Sequence, residues 1–451
     1  MNRPITLPEM LDARERRALR QKQLLARYSM PMVCFTMNIA GPVKNSRLIR
    51  KGFEAGKLYL SERLDSLHIF CAHYEEINEA TGNEACWLID ADPLLIKKIT
   101  CDIEDGSGIG RLFDMDVLRP DGTKIDRAEL GLPPRLCLIC GGPARECARS
   151  RTHSAEQLQA RTKELLTQVL EEEDSILVAR LASQALLYEV CTTPKPGLVD
   201  REGNGSHKDM DIFTFMNSAS ALWPYFQACS RIGMQTARLS PEKTFQQIRF
   251  RGQRAEADML AATRGINTHK GAIFSLGILC SALGRLPKEL WKMPDAVLKE
   301  CAAMTAGLVA ADFAGLTREN AVTTGQKLYL QHRITGVRGQ MEAGLPAVRD
   351  VGLPALKEGL ARGLDLNRAG CGALLALITA AVDTNLIARS SLATQQETVS
   401  QLKELLLHDP YPDLSTLRHL DSRFIEKNLS PGGSADLLAI CYMLYFLENE
   451  V

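Results

Sequence analysis

The chain has 451 residues, 45% of them hydrophobic and 24% charged, which is length enough for two or three ordinary domains. Its 54 basic and 54 acidic residues leave a formal net charge of zero, so a global basic field for nucleic acid is excluded. No run of about 18 apolar residues offers a transmembrane helix, so no membrane partner is expected either.

The stretch Met1–Arg20 is charged and lacks the apolar core of a secretory signal. The thirteen cysteines are therefore expected to be reduced thiols of a cytoplasmic protein. A charged helix is predicted from Leu7 to about Tyr28. Short β-prone runs follow: MVCFTMNI, SLHIFCAHY, ACWLIDAD, RLFDMDVL and RLCLIC, separated by turn signals at Gly41-Pro42, Thr81-Gly82-Asn83 and Pro120-Asp121-Gly122. This pattern predicts a small α/β (α+β) domain over residues 1–155.

Beyond about Thr152 the texture changes to Ala/Leu-rich stretches with helical periodicity and almost no β-branched alternation. Residues 175–451 are expected to form an all-α helical domain, with the boundary in the polar helix near 155–174.

The first chemical motif is GSGIGRLFDMDVL at 106–118. On a strand, Asp114 and Asp116 share one face, and two same-side carboxylates suit Mg²⁺-assisted phosphoryl or nucleotidyl transfer. Arg111 is a candidate for phosphate. The next motif supplies Cys137-x-x-Cys140, then Cys147 and His153, a spacing that suits zinc. Arg145, Arg149 and Arg151 form a cationic patch fit for polyphosphate or an acidic protein.

The N-terminal segment resembles the citrate lyase holo-acyl-carrier-protein synthase family. The matching strings are LDARERRA, FTMNIAGPVKNS, GRLFDMDVL and CLICGGPARECARSRTH. The resemblance implies transfer of a phosphoribosyl-dephospho-CoA unit to a serine of the apo acyl carrier protein, the gamma subunit of citrate lyase, with loss of diphosphate. It also gives Asp114 and Asp116 a magnesium role.

The helical half carries polar islands. One is TPKPGLVDREGNGSHKDMD, in which Lys195, His207, Lys208, Asp209 and Asp211 suit a polyphosphate–metal loop, the two aspartates holding Mg²⁺. A second contains Arg249, Arg251, Arg254 and Asp258, then Asn267, His269 and Lys270 before an apolar helix whose start suits an anion. His269 is a candidate base. Further islands hold Lys327, Arg333 and Arg338, then Asp383 and Asn385, which interrupt an apolar helix, and finally Ser430-Pro431-Gly432-Gly433-Ser434 with Asp436. Ser434 and Asp436 are expected to bind substrate at the cap of the last helix.

In this order the islands resemble the triphosphoribosyl-dephospho-CoA synthase family. That resemblance implies that ATP and 3′-dephospho-CoA react to give 2′-(5″-triphosphoribosyl)-3′-dephospho-CoA and adenine. Gln340 departs from the acidic residue expected there. The base is open among Asp209, Asp211, Asp258, His269, Asp383 and Asp436. The two resemblances together predict a bifunctional transferase acting in consecutive steps. The rivals are the equivalent pair serving malonate decarboxylase, a non-catalytic carrier-protein chaperone and a nucleic-acid-binding regulator.

Overall fold

The computed structural model describes residues 3–106 and 108–451, and Ser107 of the Gly-rich turn lies outside them. Two compact units divide at Glu173 and Asp174.

The first unit opens with α1 (Leu7–Tyr28), started by a Thr6/Glu9 capping box. It continues through β1 (Met32–Met37), α2 (Arg47–Ser66), β2 (Cys71–Glu79), β3 (Gly82–Ile89), α3 (Pro93–Gly106), β4 (Phe113–Leu118) and α4 (Ala144–Ser150). The strands form an antiparallel sheet in the order β2-β3-β1-β4. Period-two alternation decides its faces. Val33, Phe35, Trp87, Met115 and Val117 share one core with Ile49, Phe53 and Leu60 of α2 and Ile96 and Ile99 of α3. The opposite face buries Cys34, Cys86 and Leu88 in a smaller cluster with Leu24 and Leu25 of α1. On β4 that alternation leaves Asp114 and Asp116 half-buried between buried Phe113, Met115 and Val117.

The run RLCLIC is not a strand. Leu136 makes an isolated bridge to Pro143, so the segment is a tight hairpin whose turn carries the thiols. Apolar letters alone could not show that too few partners exist to extend it.

A single helix, α5 (Ala155–Cys191), runs through the division. From there every described element is helical: α6 (Ile212–Thr236), α7 (Pro241–Ala262), α8 (Lys270–Arg285), α9 (Pro294–Met304), α10 (Leu308–Asp312), α11 (Thr324–His332) and α12 (Gly336–Glu342). A short π-helical stretch leads into α13 (Leu353–Ala361). The chain ends with α14 (Leu366–Ala380), α15 (Thr384–Arg389), α16 (Leu392–His408), α17 (Leu414–Glu426) and α18 (Gly432–Glu450).

α8, α14 and α18 are apolar all round and form the centre of this unit, as a helix without a polar face must. α6 and α8 approach closely because glycines face backbone. A Cβ on Gly233 would sit 2.1 Å from the Ser281 carbonyl oxygen, and one on Gly284 would sit 2.1 Å from that of Ser230.

Candidate functional sites

In the first unit, Asp114 Oδ1 lies 3.6 Å from Arg135 Nη1, and Asp116 Oδ1 lies 2.5 Å from Lys124 Nζ. Burial and neighbouring Asp116 push the Asp114 carboxyl above its usual range, with Arg135 opposing them. Beside them, buried Glu104 accepts the Met115 N–H at 2.8 Å, which satisfies an outward donor of an edge strand. Arg127 reaches the same carboxylate at 3.3 Å. Arg111 donates to the Leu136 carbonyl and lies 3.9 Å from Asp105. The predicted acid pair therefore faces Arg135 and Lys124, with Arg127 on neighbouring Glu104. None of these three was singled out in the sequence, because each comes from a different turn beyond the motif.

In the second unit, a cavity of about 510 Å³ gathers residues from Glu189 to Leu437. Lys195, His207, Asn267, His269, Lys270, Arg338, Asp383 and Asp436 all line it.

Asp436 is crowded by the start of α8: a Cβ on Gly271 would fall 1.9 Å from its Oδ2. Burial first, then Glu189 and Asp383, raise its pKa well above the usual carboxylate range, with the Ala272 amide opposing them.

His269 is buried. Its Nδ1 shares a hydrogen bond with Ser218 Oγ at 2.7 Å, and Phe215 meets its ring edge-on at 5.0 Å. Burial, with Lys195 second, pushes its pKa down to about 3, so the ring is neutral at pH 7. Its Nε2 and the Thr268 Oγ1 are buried without a hydrogen-bond partner, and both residues line the cavity. Unpaired polar atoms facing a cavity are what a polar ligand would satisfy.

Lys195 is buried and paired with Glu189, whose carboxyl burial raises. At the rim, Arg389 Nη2 donates to His207 Nδ1 at 3.0 Å. A guanidinium only donates, so His207 carries its proton on Nε2 and gives it to Ser430 Oγ at 2.9 Å. Burial, then Arg389, lowers the pKa of His207.

Asp383 has a different occupation. Its Oδ1 accepts the Asn385 and Leu386 amides at 3.0 and 3.2 Å, and its Oδ2 accepts the Ser434 amide and hydroxyl at 2.7 and 2.9 Å. One carboxylate thus closes the starts of α15 and α18, even though burial raises its pKa. The last helix is not capped by its own serines: Pro431 is the N-cap residue and makes no side-chain cap bond. Ser434 is fully buried against Asp383 instead.

Several expected site residues stand apart from the cavity lining. Asp211 is the N-cap of α6 and accepts the Thr214 amide at 2.8 Å. Asp209 is exposed, 4.0 Å from His207 Nδ1, and Lys208 is exposed beside it. Asp211 spends Oδ1 on the cap, and neither Asp209 nor Asp211 lines the cavity, so the cavity does not draw on them as a magnesium pair. Arg254 pairs with Asp258 at 3.1 Å on the outer face of α7, where Arg251 is also exposed.

Glu189, Asn385, Arg389 and Ser430 line the cavity without having been predicted as site residues. A glutamate inside the apolar run ALLYEVC was the available signal for Glu189. Gln340 lines the cavity and accepts the Ala347 amide at 3.3 Å.

Comparison with known proteins then decides the family. Residues 5–169 match the model of the apo-citrate lyase phosphoribosyl-dephospho-CoA transferases, and residues 175–451 match that of the ATP:dephospho-CoA triphosphoribosyl transferases. Protein CitXG of Haemophilus influenzae is 34% identical, covering 98% of this chain and 96% of its own. Protein CitXG of Leuconostoc mesenteroides subsp. cremoris is 33% identical over 99% and 98%. The chain belongs to the CitXG family.

It is a bifunctional transferase of citrate lyase prosthetic-group synthesis and attachment, with ATP and dephospho-CoA as substrates of the first step. The malonate decarboxylase alternative is not favoured, because the N-terminal match is to the citrate lyase transferases. The 2-(5″-triphosphoribosyl)-3′-dephosphocoenzyme-A synthase of Pectobacterium atrosepticum is 40% identical, matching 59% of this chain and 88% of its own length. No helix of the described residues is long and apolar enough to cross a membrane.

Proposed function

We propose that the division of labour follows the chain: residues 175–451 make the triphosphoribosyl donor, and residues 1–155 attach it to the apo acyl carrier protein. The observation that carries this reading is the 510 Å³ cavity, which Lys195, Lys270, Arg338 and Arg389 line together with Asp436. Such a site suits a polyphosphate beside a reacting sugar.

In the synthesis step, a ribose hydroxyl of dephospho-CoA bonds to C1′ of the ATP ribose, and the bond to adenine breaks. The transition state has oxocarbenium character, as in other glycosyl transfers. Lys270, Arg338 and Arg389 bind the triphosphate. Asp436 in its ionised form takes the hydroxyl proton, and the burial and neighbouring carboxylates that raise its pKa raise its affinity for that proton. His269, with a pKa of about 3, is too weak a base and instead hydrogen-bonds the substrate through Nε2. Asp383 positions the starts of α15 and α18 and takes no proton.

In the attachment step, the carrier serine oxygen bonds to the donor phosphorus nearest the ribose, and diphosphate leaves. Asp114 and Asp116 fit a Mg²⁺ ion, because two like charges on one strand face already disfavour each other. Mg²⁺ bound there would neutralise the departing diphosphate. Arg111, Arg135 and Lys124 supply fixed positive charge.

The test is the intact mass of purified apo citrate lyase carrier protein after incubation with this enzyme, ATP, Mg²⁺ and dephospho-CoA. A gain of one phosphoribosyl-dephospho-CoA unit is expected, and it should vanish when ATP or dephospho-CoA is omitted. Asp114→Asn should lower loading on the order of 100-fold while adenine release stays intact. Loss of both activities in that variant would overturn the division of labour.

A further inference from the structure

We propose that Cys137, Cys140, Cys147 and His153 bind a structural Zn²⁺ ion that holds the active-site hairpin of the attachment unit in place. Their four ligand atoms lie within 4.8 Å of one another, and the sulfurs of Cys140 and Cys147 are 3.4 Å apart. That separation is too long for a disulfide bond and near what two thiolates about 2.3 Å from one zinc span across a tetrahedron. His153 Nε2 is buried and has no hydrogen-bond partner, although an imidazole nitrogen in that position needs a proton or a ligand. The turn is shaped for it: the Cys137 amide donates to the Gly142 carbonyl at 2.5 Å, and the Gly141 amide donates back to the Cys137 carbonyl at 3.3 Å. Gly141 adopts φ 73°, which a glycine accepts without strain.

A second observation is independent of this geometry. Among the described residues from Asp126 to Ala160, Cys137 is the one that is buried, and α4 buries none. A segment this long has no apolar core of its own to offset the entropy of ordering it. Small metal-bound modules solve that problem by making the ion the core. Binding would release three thiol protons to solvent. The resulting site carries net charge −1, on a segment that also supplies Arg145, Arg149 and Arg151.

The ordered hairpin has a job. It starts at Arg135, whose carbonyl accepts the Ala144 amide at 2.9 Å. Arg135 Nη2 donates to the Arg111 and Phe113 carbonyls at 3.1 and 2.7 Å, and its Nη1 faces Asp114. The Leu136 carbonyl in turn accepts from Arg111. Zinc would therefore fix Arg111 and Arg135 beside the acid pair while touching no substrate.

The full chain, purified without chelator, should carry about one zinc per polypeptide by elemental analysis. Cobalt exchange should give the thiolate charge-transfer and visible bands of a tetrahedral site. Cys140→Ser with Cys147→Ser should abolish both signals and depress carrier loading. Adenine release by the same preparation should persist, which excludes global unfolding. Wild-type protein stripped by a chelator should lose carrier loading and regain it on zinc addition, which separates loss of the metal from loss of the attachment unit's fold. Absence of zinc from protein made in zinc-supplemented cells would overturn the proposal. So would a mass two hydrogens light, marking a Cys140–Cys147 disulfide, or full zinc retention in the double variant.

Discussion

The two units solve opposite problems with the same side chain. On β4 the aspartates are half-exposed, with side-chain exposures of 48% and 34%, and each already faces a cation. In the helical unit Asp436 is crowded by carboxylates and a helix start, and burial raises its affinity for a proton. A sheet edge therefore presents charge that is ready for a large protein substrate and a metal. A helical interior raises the proton affinity of a carboxylate, which is what general base chemistry uses. The lesson is that burial, rather than residue type, decides what an aspartate can do.

Asp436→Asn is the sharpest way to break this contrast. Adenine release should fall by about 10²–10⁴-fold, the range of a lost general base. The unfolding midpoint should hold or rise, because the amide avoids the cost of burying a charge. Retained activity would end the proposed role of Asp436. A fall in stability alongside the activity would mean that this carboxylate is structural, like that of Asp383.

Asp383→Ala should behave in the reverse way. Removing both caps leaves amides unpaired at Asn385, Leu386 and Ser434, the last two buried, at a cost of about 2–4 kcal/mol in chemical unfolding. Activity should fall only as far as the folded population does.

The smallest effect is one of pH. The folded pKa of His269 is depressed to about 3 from the ordinary histidine value of 6.5. Below 6.5 the unfolded chain takes up a proton that the folded state refuses, so stability is lost as pH falls. Between pH 6.5 and 5 the loss should be roughly 2 kcal/mol. The buried acids with raised pKa values act in the opposite sense, so the measurement is the difference between the wild-type chain and His269→Gln. Parallel stability profiles for the two would show that His269 titrates normally.

Much of this was legible in the sequence. Alternation on β4 gave the shared face of Asp114 and Asp116, and the four strands arose from four of the five β-prone runs. The fifth run, RLCLIC, reads as a strand in letters but has no sheet partner beyond one bridge, a tertiary fact. The polar islands of the helical half pointed to Lys195, His269 and Asp436, since polar residues inside apolar helices need a reason. The same reasoning could not separate Asp211 from Asp436. An aspartate at a helix start looks alike in sequence whether it caps that helix, as Asp211 does, or lies in its opening turns facing a cavity, as Asp436 does. Arg389 escaped because it sits within an ordinary helical pattern, Glu189 although its apolar run carried a signal, and their convergence on the cavity is made by chain segments about 200 residues apart.

The double duty of Asp383 has a consequence in time rather than in energy. The first turns of α15 and α18 are far apart in the chain, yet neither can fray while the shared carboxylate holds. Their opening is one event. The amides of Asn385, Leu386 and Ser434 should therefore exchange with deuterium at a common rate, as members of a single cooperative unit.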